Sequence, residues 1–461
     1  MTADNPAWLA SAQALLSAGR PQQVLDALAG LPLSAHGVEL AYLHAVAAAQ
    51  CAQRERSEAA LAHCLQLAPA HPGALFQRAA FALADGHAAK ARQDFQAAAR
   101  AAPGWAEAHY NLAVVQAGLG DFDAAESSYR LALRAQPRLV QAANNLANLL
   151  STRGAHAEAV TLMRSALAVE PAFAIGWCTL GRSLLRSRQH VAAIEALRRS
   201  LALDTEQSAA WENLGEALQQ CGDLPAATAA YARASALNPS SAPLAFKLDT
   251  LRGMQPPRPP DDFVRGLFDD MADGFDHWLV EALDYRLPEQ LSRYLPDARA
   301  LDVLDLGCGT GLAAPSLRRL AKRLEGADLS PKMLEKSAAR GLYDALHATS
   351  LQAMLAGPAQ AWDLLVATDV FIYVGALDGV FALAARALRR GGWLLFSFEP
   401  FDAEDGPGFR LQPSGRYAHR ANDLRRLAAT LGFEIELDEP IELRREREHM
   451  LPGRVMRLRL L

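Results

Sequence analysis

The stretch LDVLDLGCGTG, residues 301–311, decides how the second half of this chain is read. Residues 299–306 read as a short apolar strand. Gly307, Gly309 and Gly311 follow at alternate positions, and LAAPSLRRLAKR, residues 312–323, reads as a helix. Glycines at such a turn permit a tight bend and close approach of backbone to ligand, whose polar groups then meet amides at the start of the helix. A strand, a glycine turn and a helix in this order point to a nucleotide-like cofactor.

Working outward, residues 324–327 read as the next strand, ending at Asp328, where a carboxylate can take both hydroxyls of a ribose. Further strands are expected at 345–348, 362–368, 393–398, 433–437 and 455–460, with helices between most of them. That alternation makes a doubly wound sheet. A nicotinamide fingerprint, G-x-G-x-x-G, would need its third glycine at Leu312, so Gly311 stands one residue early and leaves that reading as the weaker alternative.

The acid and glycine series Asp305, Gly307, Gly309, Gly311, with Asp328 beyond it, closely resembles motif I and the ribose-binding acid of the class I S-adenosylmethionine-dependent methyltransferases. The resemblance implies a Rossmann-like α/β domain with a mostly parallel seven-stranded sheet, closed by the hairpin of 433–437 and 455–460. It also implies S-adenosyl-L-methionine as cofactor and S-adenosyl-L-homocysteine as product. Carried over by position, Gly307, Gly309 and Gly311 would cradle the amino-acid part of the cofactor, Asp305 would orient it, and Asp328 would bind the ribose. Met333 and Leu334 would wall the adenine. Ser350 stands where the family often has an acid for the adenine amino group, a departure. Asp369, with Phe371 and Tyr373 beyond it, would lie between cofactor and acceptor.

Methyl transfer from a sulfonium is an in-line displacement that needs alignment and exclusion of water, and a base only when the acceptor must lose a proton. His419 is the candidate base, against a surface or capping histidine; Tyr417 and Arg416 are candidate acceptor contacts, against core packing for Tyr417. Helices expected across 263–275 and 278–294 would place Phe268, Met271 and Phe275 on one side. They form either a lid, which His277 would join, or ordinary core. The segments FDDMADGFDHWLVEALDYRLPE, LDLGCGTG, DVFIYVGAL and GRYAHR together resemble a subgroup of bacterial methyltransferases that carry tetratricopeptide repeats.

The first half of the chain fits that resemblance. Pro69, Pro103, Pro137, Pro171 and Pro239 share the register of a 34-residue step. Within each step small and large apolar residues recur, as in Leu112, Ala113, Ala125, Tyr129, Ala132 and in Trp211, Leu214, Gly215, Ala227, Tyr231, Ala234. Small positions let two antiparallel helices approach, large ones fill the groove to the next pair, and proline closes the unit. These positions resemble the tetratricopeptide repeat from about Asn5 to Pro239, with two weaker capping units over 8–69 and an extra helix at 242–251; Thr205 replaces a proline and His109 a tryptophan. The architecture expected is an all-α solenoid over 1–252, a proline-rich linker at 253–262, and the methyltransferase domain with lid helices over 263–461.

The inner face of such a solenoid comes from the first helix of each pair. Asn111, Asn145 and Asn213 share one repeat position, and Asn148 and Arg182 lie nearby. An amide that donates and accepts can grip a peptide backbone; the same residues can instead bridge helices or face water. The net charge of −5 argues against a specific nucleic-acid partner, and the basic clusters at 425–426 and 444–447 read as solvated charge. Five cysteines without a CxxC pair or metal-ligand spacing read as reduced, buried side chains and no metal. The N-terminal segment lacks the pattern of a signal peptide, and no run is long and apolar enough for a membrane, so the expected location is the cytoplasm. Three functions stay open: methyl transfer to a peptide or protein recruited by the repeats; methyl transfer to a small molecule, with the repeats holding a partner; and a non-catalytic scaffold.

Overall fold

A computed structural model describes residues 6–403, 405–412, 414–446 and 449–461; Asn5 and Arg447 lie outside them. The chain forms two compact units, Met1–Asp223 and Leu224–Leu461. The boundaries expected at 252 and 262 both fall inside the second unit. No helix among the described residues is long and apolar enough to cross a membrane.

The first unit is a series of helix pairs, from Pro6–Ser17 with Pro21–Leu28 to Ala174–Arg186 with His190–Leu203, followed by Ser208–Gln220. The repeated small residues do what their size allows: Ala113, Ala125, Ala147, Ala159 and Ala193 are fully buried. At Gly181 a Cβ would stand 2.5 Å from Leu197 of the paired helix, so only glycine admits that approach. Both departures from the repeat pattern keep its hydrogen bonding. Trp177 and Trp211 donate their indole N–H to the carbonyls of Pro171 and Thr205, each at 2.9 Å. His109 Nε2 makes the same bond to Pro103 O at 3.0 Å.

In the second unit the helices Leu224–Leu237 and Ala242–Leu251 precede an α/β domain. Its strands are β1 (Leu301–Leu306), β2 (Ala321–Asp328), β3 (Ala345–Ala348), β4 (Trp362–Ala367), β5 (Leu388–Pro400), β6 (Phe409–Leu411), β7 (Tyr417–His419), β8 (Phe433–Glu446) and β9 (His449–Leu460). Seven of them make the main sheet in the order β3-β2-β1-β4-β5-β9-β8, with β9 antiparallel to both neighbours. The two others form a short ribbon, in which β7 pairs with the end of β5 at Glu399 and Pro400. All of β1 is buried, because both faces of the sheet are covered. Leu301 and Val303 enter one core with Leu364, Val366 and Leu395, while Leu304 and Leu306 enter the other with Leu365, Phe396 and Phe398.

Several local expectations are corrected. The helix after the glycine turn is only Ala314–Arg318, because β2 already begins at Ala321 and takes the residues that looked helical. The stretch 278–294 is no continuous helix: a π-helix at His277–Ala282 gives way to short turns at Leu287–Gln290 and Leu291–Arg293. All five cysteines are free, but only Cys64 and Cys308 are buried; Cys51 and Cys178 are half-buried and Cys221 is exposed.

Candidate active site

The carboxyl ends of β1, β2, β3 and β4 open into one cavity, which is where an open α/β sheet places its ligands. From β1 and its turn come Asp305, Gly307, Cys308 and Gly309; from β2, Asp328; from the turn after β3, Thr349 and Ser350; from the turn after β4, Thr368, Asp369 and Tyr373. All three motif glycines have positive φ, at 65°, 53° and 82°. A Cβ on Gly307 would also lie 2.6 Å from Val370, so the turn tolerates no side chain there. Gly311 lies outside the lining and instead packs on Ser337, 2.7 Å from where its Cβ would stand.

Asp328 holds this turn in shape. Its Oδ2 accepts from the Gly309 N–H at 2.9 Å and its Oδ1 from the Ser330 N–H at 2.8 Å. Burial outweighs those bonds and raises its pKa. Asp305, fully buried, is pushed up to about 7 by desolvation, against the Tyr343 hydroxyl that donates to it at 2.6 Å. Ser350 lines the cavity while its Oγ caps the helix Leu351–Leu355 at Ala353 N. Met333 and Leu334 are buried outside the lining, so the structure removes them as adenine walls; Leu329 and Leu351 stand in the wall instead.

The opposite pole is built from distant segments. Asp369 has φ +59°, a left-handed conformation costly for a residue with a Cβ, and its N–H donates to Ser397 Oγ at 2.8 Å. Its Oδ1 accepts from Arg444 Nη1 at 2.6 Å, and Arg444 also pairs with the buried Glu399. Arg416 approaches Glu399 at 3.5 Å. Arg416, Arg444, Tyr285 and Tyr373 all line the cavity; burial raises the pKa of both tyrosines, that of Tyr373 to about 12. Tyr285 escapes the sequence reading, and Arg444, expected as solvated charge, is instead buried and paired with Asp369 and Glu399. Arg444 is delivered by a register shift in β8 between Glu442 and Arg444, opposite Pro452 and Leu451, and Gly453, paired with Ile441, has no side chain and so makes room for Leu443. A bulge beside a site re-aims a side chain in this way.

Over the cavity runs the helix Asp261–Met271 and the turns after it. Phe268 and Phe275 line it, and the Phe268 ring meets Tyr373 edge-on at 5.1 Å. This cover is tied to the cofactor-side loops: Ser330 Oγ donates to Asp269 at 2.5 Å, Lys336 pairs with Asp273 at 2.8 Å, and Asp276 takes both Arg340, at 2.5 Å, and the hydroxyl of Thr310.

Besides Gly311 and Met333, four expected site residues lie elsewhere. His419 is buried, its Nε2–H donates to Phe371 O at 3.0 Å, and burial lowers its pKa to about 4; it is not a base for this cavity. Tyr417 is fully buried, packs with Phe246 and Leu411, and donates to Pro256 O at 2.9 Å. Phe371 belongs to the core under the sheet. His277 pairs with Glu281 at 3.1 Å, its side chain 76% exposed, and does not join the cover. In the first unit the asparagines are used between helices: Asn145 donates to Tyr110 OH at 3.3 Å, Arg182 to Asn148, and Asn213 to Cys178 Sγ at 3.9 Å, while Asn111 bonds its own helix at Glu107 O.

Residues 279–437 match the family of methyltransferase domains, and residues 76–139, 110–174 and 178–242 match the tetratricopeptide repeat. An uncharacterized methyltransferase of Emericella nidulans is 32% identical over 174 residues, which cover 31% of this chain and 60% of that protein. A ubiquinone biosynthesis O-methyltransferase of Methylocella silvestris is 34% identical over 126 residues, 26% of this chain and 46% of its own. The chain thus spans about half the length of the curated relatives it matches. Among solved structures, a SAM-dependent methyltransferase from Methanosarcina mazei aligns with a TM-score of 0.31 at 18% identity, over 37% of this chain and 97% of that one.

Proposed function

We propose that this chain, tetratricopeptide repeats joined to a methyltransferase domain, transfers a methyl group from S-adenosyl-L-methionine to a polypeptide acceptor that the repeats recruit. The observation that carries the transfer is one cavity shared by the Asp305–Asp328 cradle and the Asp369–Tyr373 pole. The cradle fits the cofactor. Its glycine turn leaves no side chain between backbone and ligand, and Asp328 keeps lone pairs for the ribose hydroxyls after accepting two backbone N–H groups. Asp305 faces the amino-acid part, where an ammonium group stabilises its ionised form.

When bound, the cofactor supplies an electrophilic methyl group on a sulfonium. The chain's work is then alignment and dryness. Phe268 and Phe275 exclude water, and the hydrogen bonds from Ser330 and Thr310 to the cover couple its closure to the loops that hold the cofactor. Asp369, fixed by Arg444 and Ser397, orients the acceptor, and Arg416 and Tyr373 offer it hydrogen bonds. Ser350 serves the adenine end.

Recruitment by the repeats is supported by the length of the helical array; Asn111, Asn145, Asn148, Arg182 and Asn213 lie along its first helices, where they already hydrogen-bond within or between helices. A small-molecule acceptor is the second reading, favoured by relatives named for ubiquinone biosynthesis. Incubating the full chain with methyl-labelled cofactor and cell extract, then separating polypeptide from low-mass fractions, distinguishes the two. Label on a polypeptide supports recruitment; label confined to a metabolite transfers the repeats to holding a partner.

A further inference from the structure

The segment 253–262 reads from sequence as a stiff proline-rich linker, yet three consecutive residues in it are pinned to the α/β domain. Gln255 Oε1 accepts from the Leu411 N–H at 2.6 Å, Pro256 O accepts from the Tyr417 hydroxyl at 2.9 Å, and Pro257 O accepts from the N–H groups of Gly375 and Ala376 at 3.0 and 2.8 Å. Gly375 is a glycine by necessity here, since a Cβ would lie 2.6 Å from Tyr417 and 2.7 Å from Pro257 O. The next residues, Arg258 and Pro259, line the cavity. Tyr417 thus fixes the strap that carries Arg258, and the same ribbon presents its neighbour Arg416 to the same cavity.

The chemistry of that pole is one-sided. Among the described residues lining the cavity there is no histidine, lysine or glutamate. Its carboxylates are Asp305 and Asp328 in the cofactor cradle, Asp369 bound to Arg444, and Asp261 at the start of the cover helix. An ion-paired carboxylate is a weak base. The two tyrosines, held protonated by burial, are donors at neutral pH. Arg444 is committed to Asp369 and Glu399, and Arg416 leans on Glu399. Arg258 makes no ion pair or hydrogen bond among the described residues, so its charge is available to a ligand.

Resting on the methyl-transfer reading above, we propose that the methyl acceptor is a carboxylate, held by Arg258 and Arg416 and methylated on oxygen to a methyl ester. A carboxylate is already the nucleophile, so a pole of donors without a base suffices. A carbon–oxygen bond forms to the methyl carbon and the methyl–sulfur bond breaks. Its electron pair returns to sulfur, giving S-adenosyl-L-homocysteine, and no proton moves. Arg258 is the residue that selects the acceptor, and Tyr417 is a positioning residue acting through the strap.

The test uses the full chain with tritiated-methyl S-adenosylmethionine and cell extract. Alkali hydrolyses a methyl ester to volatile labelled methanol, whereas a methyl group on nitrogen, carbon or an ether oxygen stays in place. Label released by mild alkali from the polypeptide or the low-mass fraction supports the proposal, and the fraction tells an acidic side chain from a small acid. Alkali-stable label overturns it while leaving methyl transfer intact. No label from a chain that binds S-adenosylhomocysteine removes the methyl-transfer reading itself, and this inference with it. In the same assay Arg258→Gln should raise the extract dose for half-maximal transfer at least tenfold with maximal rate within about threefold, Arg258→Lys should recover part of that, and both should bind S-adenosylhomocysteine like the parent. Equal dose dependence for Arg258→Gln and parent would overturn the role of Arg258.

Discussion

Asp305 is the residue whose protonation should be visible in binding. Burial holds its pKa near 7, far above an ordinary carboxylate, so it is ionised only above that value. A ligand with an ammonium group beside it favours the ionised form. Below pH 7 binding must expel a proton, and affinity falls with falling pH, approaching tenfold per pH unit. Calorimetry with S-adenosylhomocysteine from pH 6 to 8 should show that slope, with proton release on binding; Asp305→Asn should bind more weakly with a flat profile. A flat profile for the parent would place the ammonium elsewhere. At this scale the motif acids and glycines were legible, because strand, turn and cofactor cradle are local in sequence. His419 and Tyr417 misled for the opposite reason. Alternation on β7 turns both away from Arg416, and only the fold shows that the Phe371 and Pro256 carbonyls are waiting for them.

At the scale of elements, each repeat joins its two helices through one left-handed residue. Gly86, Gly120, Gly154 and Gly222 fill that position with φ between 77° and 84°, while Ala52 and Arg188 fill the equivalent place at 57° and 58°. A side chain there costs about 1–2 kcal/mol, partly offset by the greater freedom glycine gives the unfolded chain. Arg188→Gly should therefore stabilise the repeats by about 0.5–1 kcal/mol, and Gly154→Ala, with open space around it, should destabilise them by about 1 kcal/mol in denaturant titrations. The repeat helices were readable because their 34-residue period repeats a packing rule many times over. The cover was less so: Phe268 and Phe275 showed their apolar side, but the π-helix at His277–Ala282 breaks the period and turns His277 outward. Strand β8 was read five residues long and runs from Phe433 to Glu446, since its charged second half hides the alternation and its bulge delivers Arg444.

For the whole molecule, the strap is hydrogen-bonded to the α/β domain. Phe246 of the helix Ala242–Leu251 packs with Leu411 and Tyr417, and three acceptors in residues 255–257 take four hydrogen bonds from the α/β domain. A fragment of residues 224–461 should fold and bind S-adenosylhomocysteine within about threefold of the full chain. A fragment of 263–461, which exposes Tyr417 and leaves those donors unpaired, should lose several degrees of thermal midpoint and bind at least tenfold more weakly. Equal behaviour of the two fragments would return the strap to the status of a linker.

The most direct measurement is transfer of a labelled methyl group by the full chain beside its Asp328→Ala variant, in extract and at limiting S-adenosylmethionine. Loss of that carboxylate frees the Gly309 and Ser330 amides and removes the ribose partner, so transfer should fall at least tenfold, a difference of about 1.4 kcal/mol or more. Equal transfer by both proteins, or none by either, would contradict the account.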